Sequence, residues 1–222
     1  MIKAVIFDMD GVLINTEPLH YQCWVEIFKE TYGKELDYEV YKPCIGSTRQ
    51  HFKDMIQREY GIVFDSLEEM NRTMKEKKDE IIEREGFPEM PGVDQMLAEL
   101  KKSGYLMAVA SSSPKQVITD TLESLDLLKY FTVVTSGDEV KHPKPAPDTF
   151  LFAAEKLGMN VEECLVIEDS TNGGKAAKAA NMPCVWLHNP DSGDQEIPGA
   201  VLEIPAWTSD AAKYVMNLLK DA

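Results

Sequence analysis

Two aspartates separated by a single residue, Asp8 and Asp10, follow directly on an apolar run near the N-terminus. Side chains alternate along an extended chain, so both carboxylates should face one side while Met9 turns toward the packed interior. Two like charges this close are costly unless a cation lies between them or one carboxyl is protonated. Oxygen ligands select a hard cation, and we predict Mg²⁺. Capping of a following helix is the alternative interpretation of this motif, and other segments must decide between the two.

Three consecutive serines form the next polar group. Ser111, Ser112 and Ser113 end the apolar run 105–110 and precede Pro114. Hydroxyls and unpaired amide N–H groups at the start of a helix can bind an anion such as phosphate. A serine beside a proline in the first helical turn is also common as a helix cap. Both roles are open for these residues on sequence grounds.

One lysine and two acidic residues complete the polar set. Lys144 lies in a loop with three prolines, which restrict its conformational freedom and favour a fixed cation beside an aspartate and a phosphate. A solvated lysine in a proline-rich turn is the alternative. Glu168 and Asp169 follow the apolar run 164–167 and repeat the design of the first aspartate pair. They predict a second pair of hard oxygen ligands.

The elements that must position these groups alternate between strand and helix. This alternation predicts a mainly parallel sheet with helices on both faces, a Rossmann-like α/β fold. The predicted strands are 4–7, 105–110, 132–135, 164–167, 184–187 and 201–204. The predicted helices of this part are 93–103, 114–124, 147–157, 172–180 and 209–219. Ligands bind beyond the carboxyl ends of such strands, so the polar groups should meet there.

A helical segment interrupts that alternation early in the chain. Apolar residues recur at helical spacing in 17–32, and three more helices are predicted at 37–41, 48–60 and 66–84. We interpret residues 15–87 as an α-helical cap domain inserted into a core domain formed by 1–14 and 88–222. The cap is expected to close over a small substrate and to open for product release.

Composition and charge exclude several classes of partner. The formal net charge is −15, which would repel nucleic acid and anionic membranes, so we predict neither as a partner. The four cysteines form no Cys-x-x-Cys pair, so neither a zinc site nor a disulfide framework is predicted, and reduced thiols suit the cytoplasm. No apolar run approaches the roughly 20 residues of a membrane-spanning helix, and no signal peptide is recognisable. We expect an unexported, monomeric cytoplasmic protein.

Taken together, four segments resemble the motifs of the haloacid-dehalogenase-like (HAD) superfamily. They are Asp8-Met-Asp-Gly, Ser111 after an apolar strand, Lys144-Pro-Ala-Pro-Asp, and Glu168-Asp169. The resemblance extends over nearly the whole chain, and the helical insert looks like that of the β-phosphoglucomutase and sugar-phosphatase branch.

The resemblance implies a role for each motif residue. Asp8 would be the nucleophile that takes the phosphoryl group, and Asp10 the general acid and base. Ser111 and Lys144 would hold the phosphoryl oxygens. The Mg²⁺ ligands implied are Asp8, the Asp10 carbonyl oxygen, Asp169 and, directly or through water, Glu168.

Substrate-binding residues are implied less specifically. Arg49, in Gly46-Ser-Thr-Arg49, looks like the arginine of that branch's substrate loop, which grips a distal phosphate. An exposed residue at a helix start is the alternative. His20 and Trp24 lie on one face of the first cap helix, and for both residues core packing is the alternative to substrate contact. The full set of implied substrate-binding residues is Thr16, His20, Trp24, Gly46, Arg49, Ser112, Ser113 and Lys115.

Three functions remain in competition. The leading hypothesis is a Mg²⁺-dependent phosphatase that hydrolyses a small phosphorylated sugar or polyol through an aspartyl phosphate. A β-phosphoglucomutase is the first alternative, but Ile45 and Pro114 depart from the residues that resemblance to the mutases would require. The third hypothesis is a catalytically silent ligand-binding module, and the intact set of acidic residues, serine and lysine argues against it.

Overall fold

The structure, a computed structural model, describes residues 1–45 and 47–221 of the 222-residue chain. Gly46, a predicted substrate contact, lies outside the described residues. The chain divides into two units, each with its own core. One comprises Met1–Asn15, Glu89–Pro190 and Asp194–Ala222, and the other comprises Thr16–Pro88 and Asp191–Gly193. That the second unit acts as a cap remains a prediction.

Six strands form one sheet in the first unit. They are β1 (Ala4–Phe7), β2 (Leu106–Ser111), β3 (Val133–Ser136), β4 (Cys164–Glu168), β5 (Cys184–Leu187) and β6 (Leu202–Ile204). The order is β3-β2-β1-β4-β5-β6, and every neighbouring pair is parallel. The strand order reverses beside β1, and a crevice forms at the carboxyl ends of the strands on either side of such a point. The predicted Rossmann-like α/β fold is confirmed.

The helices of the described chain are α1 (Thr16–Tyr32), α2 (Tyr38–Tyr41), α3 (Arg49–Tyr60), α4 (Leu67–Glu85), α5 (Val93–Lys102), α6 (Lys115–Ser124), α7 (Asp148–Leu157), α8 (Thr171–Ala179) and α9 (Ser209–Asp221). Several begin one residue later than predicted, because the first residue of the predicted segment caps the helix instead of joining it. Asp37 and Ser66 show this, since each side chain accepts a hydrogen bond from an amide N–H of the first turn.

The two faces of the sheet have separate apolar cores. Val5 and Phe7 of β1 face a core that includes residues of α5, α6 and α9, whereas Ala4 and Ile6 face one formed with α7 and α8. This alternation along β1 determines which way each following side chain points.

The second unit has an aromatic core of its own. Trp24 packs against Phe52, with ring centroids 4.8 Å apart, and contacts Phe64 at 6.1 Å. These three side chains are buried together with Phe28. No helix in residues 1–45 or 47–221 is both long enough and apolar enough to cross a membrane.

Candidate active site

The first aspartate pair lies just beyond the carboxyl end of β1. Met9 is buried in the same core as Val5 and Phe7, as predicted, and Asp10 lies near enough to Asp8 for its charge to act on the pKa of that carboxyl. The chain turns sharply at Gly11, whose φ of 83° is strained for any residue with a Cβ atom. Helix α1 begins only at Thr16, so neither aspartate caps it. The helix-cap interpretation of this motif is therefore wrong.

Lys144 joins two of the carboxylates. Its Nζ donates hydrogen bonds to Asp8 Oδ1 at 2.6 Å and to Glu168 Oε1 at 2.9 Å. The ammonium also lies 4.5 Å from the ring centroid of Phe150, and only 5% of the lysine side chain is exposed. A solvated lysine is thereby excluded, because this ammonium exchanges water for two carboxylates and an aromatic face.

Glu168 is held by four hydrogen bonds. Besides the lysine on Oε1, its Oε2 accepts from the Asp169 N–H at 2.8 Å, the Ser170 N–H at 2.7 Å and the Ser170 hydroxyl at 2.9 Å. Both oxygens are thus occupied by protein donors. The arrangement makes Glu168 a rigid acceptor that aims Lys144 at Asp8.

Gly173 leaves the space that this carboxylate occupies. A Cβ atom at position 173 would lie 1.6 Å from Glu168 Oε1, and the Gly173 N–H donates to Ser170 Oγ at 3.0 Å. Any side chain at this position must displace the glutamate and break its contact with Lys144.

We expect Gly173→Ala to lower kcat by at least about 10²-fold, because it shifts Lys144 by way of Glu168. Gly174→Ala is the matched control, since the three atoms nearest to a Cβ atom there all belong to the side chain of Ile197, the first at 2.5 Å, and none to Glu168. The control should lose about 1–3 kcal/mol of stability from overpacking while retaining kcat. Steady-state kinetics and urea unfolding of both variants test this, and equal loss of kcat in the two would contradict it.

Three buried carboxylates lie close together at this site. One carboxylate oxygen each from Asp8, Glu168 and Asp169 can be chosen so that all lie within 4.8 Å of one another, and all three residues are buried. Carboxylate oxygens are the ligands that hard divalent cations prefer, so this donor set suits such an ion.

The same crowding acts on the protonation of Asp8. Burial, with the neighbouring charges of Glu168 and Asp10, raises the pKa of Asp8 from 3.8 to about 7, although Lys144 opposes the shift. Burial lowers the pKa of Lys144, but the two carboxylates more than offset it, so this pKa is raised. The lysine is therefore charged at neutral pH, and in the metal-free protein Asp8 titrates near neutrality.

This shift predicts a pH dependence of stability in the absence of metal. Between about pH 4 and pH 7 the folded protein holds a proton on Asp8 that the unfolded chain releases, so the free energy of unfolding should fall as the pH rises through this window. In Asp8→Asn the free energy of unfolding should not show this fall, because the amide does not titrate. Urea unfolding in EDTA at pH 4.5 and 7.5 measures it, and parallel changes in parent and variant would refute it.

The serine loop reaches both the site and β3. Ser111 is buried at the end of β2, and its Oγ accepts a hydrogen bond from the Ser113 N–H at 3.0 Å. Helix α6 begins after Pro114 with no side-chain cap, so the helix-cap role is wrong for these serines. Ser113 Oγ donates instead to Asp10 Oδ2 at 3.1 Å. Ser112 is exposed.

That segment is supported by Lys115, by Ser136 at the end of β3, and by Glu139 just after it. Lys115 Nζ forms an ion pair with Glu139 at 2.9 Å, and Glu139 Oε2 accepts from the Ser136 N–H. Ser136 Oγ donates to the Ser113 carbonyl at 2.6 Å. Sequence analysis missed Ser136 and Glu139, although their Ser-x-x-Glu spacing is a recognisable capping box. It also assigned no role to Ser170 and Gly173, which follow the second acidic pair.

The second unit contains a cleft of about 410 Å³ near the start of α3. His20, Trp24 and Arg49 line it together with Lys78. His20 lies 3.5 Å from Glu17, whereas neither Arg49 nor Lys78 has an ion-pair partner within the described ranges. Trp24 serves the aromatic core as well as the cleft wall, and Thr16 is buried at the start of α1. Arg49 and Lys78 thus line the cleft as cations for which the described residues provide no ion-pair partner.

Comparison with known proteins places this geometry in context. The sequence profile of the haloacid dehalogenase-like hydrolases matches residues 5–187. The phosphorylated carbohydrates phosphatase of Thermotoga maritima is 33% identical over 222 residues, covering 99% of each chain. Hexitol phosphatase B of Escherichia coli is 30% identical, covering 97% of each chain. A solved β-phosphoglucomutase from Clostridium difficile superposes with a TM-score of 0.73 at 25% identity, covering 100% of this chain and 98% of that one.

Proposed function

We propose a reaction from the premise that this chain belongs to the haloacid dehalogenase-like hydrolase family, as its profile match and its relatives establish. It is an enzyme of the family's phosphatase and phosphotransferase group. The proposed reaction is Mg²⁺-dependent hydrolysis of a small phosphorylated sugar or polyol through a phosphorylated Asp8. The observation that carries it is the buried ammonium of Lys144 between the carboxylates of Asp8 and Glu168.

In the first step an Asp8 carboxylate oxygen attacks the phosphorus of the substrate. The bond between phosphorus and the sugar oxygen breaks, and that oxygen takes a proton from the carboxyl group of Asp10. Lys144 and Ser111 hold oxygens of the transferring group and offset their charge. Asp8 is thereby converted to an acyl phosphate, and the dephosphorylated sugar or polyol leaves.

In the second step water attacks the phosphorus of the aspartyl phosphate. Asp10, now a carboxylate, takes the proton of that water, and the bond between phosphorus and the Asp8 oxygen breaks. Inorganic phosphate leaves, the Asp8 carboxylate is restored and Asp10 is protonated for the next cycle. One difficult displacement is thus divided into two.

The residues fit a divalent cation, because buried Asp8, Glu168 and Asp169 each offer a carboxylate oxygen within 4.8 Å of the others. Asp8, Asp169 and the carbonyl oxygen of Asp10 would hold it. Glu168 lies close enough to contribute directly or through water, but its four hydrogen bonds favour a role in positioning Lys144. When bound, Mg²⁺ supplies positive charge to the phosphoryl oxygens.

The substrate class is inferred from the relatives and from charge. Two similar proteins are named for phosphorylated carbohydrates and hexitols. A chain of net charge −15 has to attract an anionic substrate through local cations, of which Lys144 is one and Arg49 another. We propose that the helical unit selects the substrate through Thr16, His20, Trp24, Gly46 and Arg49, with Ser112 and Lys115 contributing from the core. We also propose a cytoplasmic monomer, which sedimentation equilibrium would test.

Phosphorus NMR tests the reaction. The protein is incubated with Mg²⁺ and a panel of hexose and hexitol phosphates, and the phosphorus species are followed with time. We expect inorganic phosphate to accumulate and EDTA to stop its release. No release from any member of the panel, with the folded protein shown to bind Mg²⁺, would overturn the proposal in favour of a silent binding module.

A mutase is the second candidate, because a solved β-phosphoglucomutase matches the full length of this chain. It would return the phosphoryl group from Asp8 to another hydroxyl of the sugar instead of to water. Incubation with β-glucose 1-phosphate, primed with a trace of the 1,6-bisphosphate, separates the two candidates. Glucose 6-phosphate without free phosphate would support the mutase, whereas free phosphate supports the phosphatase.

A further inference from the structure

The hydroxyl of Ser113 points at the proposed general acid and base. Ser113 Oγ donates to Asp10 Oδ2 at 3.1 Å, and the two residues are 103 positions apart in the chain. Asp10 comes from the loop after β1 and Ser113 from the loop after β2. The contact therefore joins two neighbouring strand ends of the same unit.

The main chain of Ser113 is held on both sides. Its N–H donates to the Oγ of buried Ser111 at 3.0 Å, and its carbonyl accepts from Ser136 Oγ at 2.6 Å. Ser111 and Ser136 are themselves register partners on β2 and β3. The hydroxyl of Ser113 thus extends from a backbone that two neighbouring strands hold in place.

Glu139 and Lys115 in turn hold Ser136, which anchors the main chain of Ser113. The Ser136 N–H donates to Glu139 Oε2 at 2.9 Å, and Lys115 Nζ pairs with Glu139 Oε1 at 2.9 Å. Ser113 is followed by Pro114, and α6 begins without a side-chain cap. The serine hydroxyl is therefore not used by the helix, and within residues 1–45 and 47–221 it donates to the Asp10 carboxylate alone.

We propose that Ser113 is a positioning residue for Asp10. Its hydrogen bond keeps the Asp10 carboxylate in one orientation, so that the group which donates a proton to the leaving oxygen is already in place when substrate arrives. This inference rests on the proposed function. Ser113 would thus orient Asp10, whereas the family resemblance implies that Ser113 contacts the substrate.

The inference is tested by comparing Ser113→Ala with the parent on two substrates, one whose leaving group needs a proton and one whose leaving group does not. On glucose 6-phosphate, a substrate with a poor leaving group, kcat should fall about 10- to 100-fold, as for a lost hydrogen bond to a charged group. The burst of p-nitrophenolate from p-nitrophenyl phosphate should be nearly unchanged, because this leaving group needs no proton. Ser113→Thr, which retains a hydroxyl, should recover most of kcat. The control is Ser103→Ala, at an exposed serine beyond α5, and it should behave as the parent.

Other outcomes overturn the inference. A raised KM with unchanged kcat would make Ser113 a substrate contact, and equal losses on both substrates would indicate a general disturbance of the loop. Crystal structures of parent and Ser113→Ala provide a readout independent of turnover. We expect a single Asp10 rotamer in the parent and a different or divided one in the variant, and an identical rotamer would refute the inference. A parent inactive on every phosphomonoester would instead refute the proposed function, and the crystallographic comparison would still decide the role of Ser113.

Discussion

Asp8→Asn is expected to abolish phosphate release, lowering kcat by at least about 10⁴-fold, while the protein keeps its fold. An amide has the shape of the carboxylate but cannot attack phosphorus to form an acyl phosphate. The fold should persist because the substitution removes a buried charge without changing side-chain volume, and in the parent burial raises the pKa of this carboxyl to about 7. Phosphate release and far-UV circular dichroism measure the two parts of the expectation.

A matched aspartate variant separates nucleophile loss from general effects of charge. Asp210 lies at the start of α9, exposed and paired with Lys213. Asp210→Asn should therefore retain kcat and stability within experimental error. If Asp8→Asn retained phosphate release at more than a few per cent of the parent rate, the covalent mechanism would be wrong.

Lys144→Met is expected to lower both activity and stability. It removes the ammonium while keeping a side chain of similar length, and it leaves the carboxylates of Asp8 and Glu168 without their shared cation. Breaking a buried ion pair by removing one partner costs about 3–5 kcal/mol, so metal-free unfolding should show a loss of this order. The kcat should fall about 10²- to 10³-fold, the effect of losing one donor to a developing charge.

The stability change should depend on Mg²⁺. A divalent cation offsets part of the uncompensated negative charge, so saturating Mg²⁺ should recover some of the lost stability but not kcat, because no other group replaces the lysine beside the phosphoryl oxygens. Lys213→Met, which breaks an exposed pair, is the control and should cost about 0–1 kcal/mol. Equal losses in the two lysine variants would contradict the buried bridge.

A double-mutant cycle isolates the contact between Lys144 and Glu168. Each residue of the pair compensates the buried charge of the other. The double variant Lys144→Met with Glu168→Gln should therefore lose less free energy of unfolding than the sum of the two single variants. Additive losses would mean that Glu168 acts independently of the lysine, for example as a metal ligand.

Residues that a local pattern defines were predictable. The apolar run before Asp8 and the alternation of strands and helices follow from periodicity, which any short stretch of sequence displays. Parallel strands then bring their carboxyl ends together, so the convergence of Lys144 and Glu168 with Asp8 could be expected before any distance was known. The boundaries were less accurate, since a capping residue such as Ser66 belongs to the pattern of a helix without adopting its conformation.

Contacts that depend on several elements at once were not predictable. The sequence motif presents Glu168 as a metal ligand, but only the folded chain brings Lys144 and the donors of Ser170 onto its two oxygens. The steric demand for Gly173 is of the same kind, since it arises from one carboxylate that folds back over the start of α8.

The sequence by itself determined the fold class and which side chains stand at the ends of the strands, because both depend on local spacing. The tertiary structure decided how each of those side chains is used. Lys144 lies 136 positions from Asp8, and Ser113 lies 103 positions from Asp10. A hydrogen bond near 3 Å requires two loops to be placed within a fraction of an ångström, and only the packing of the whole unit sets such a distance.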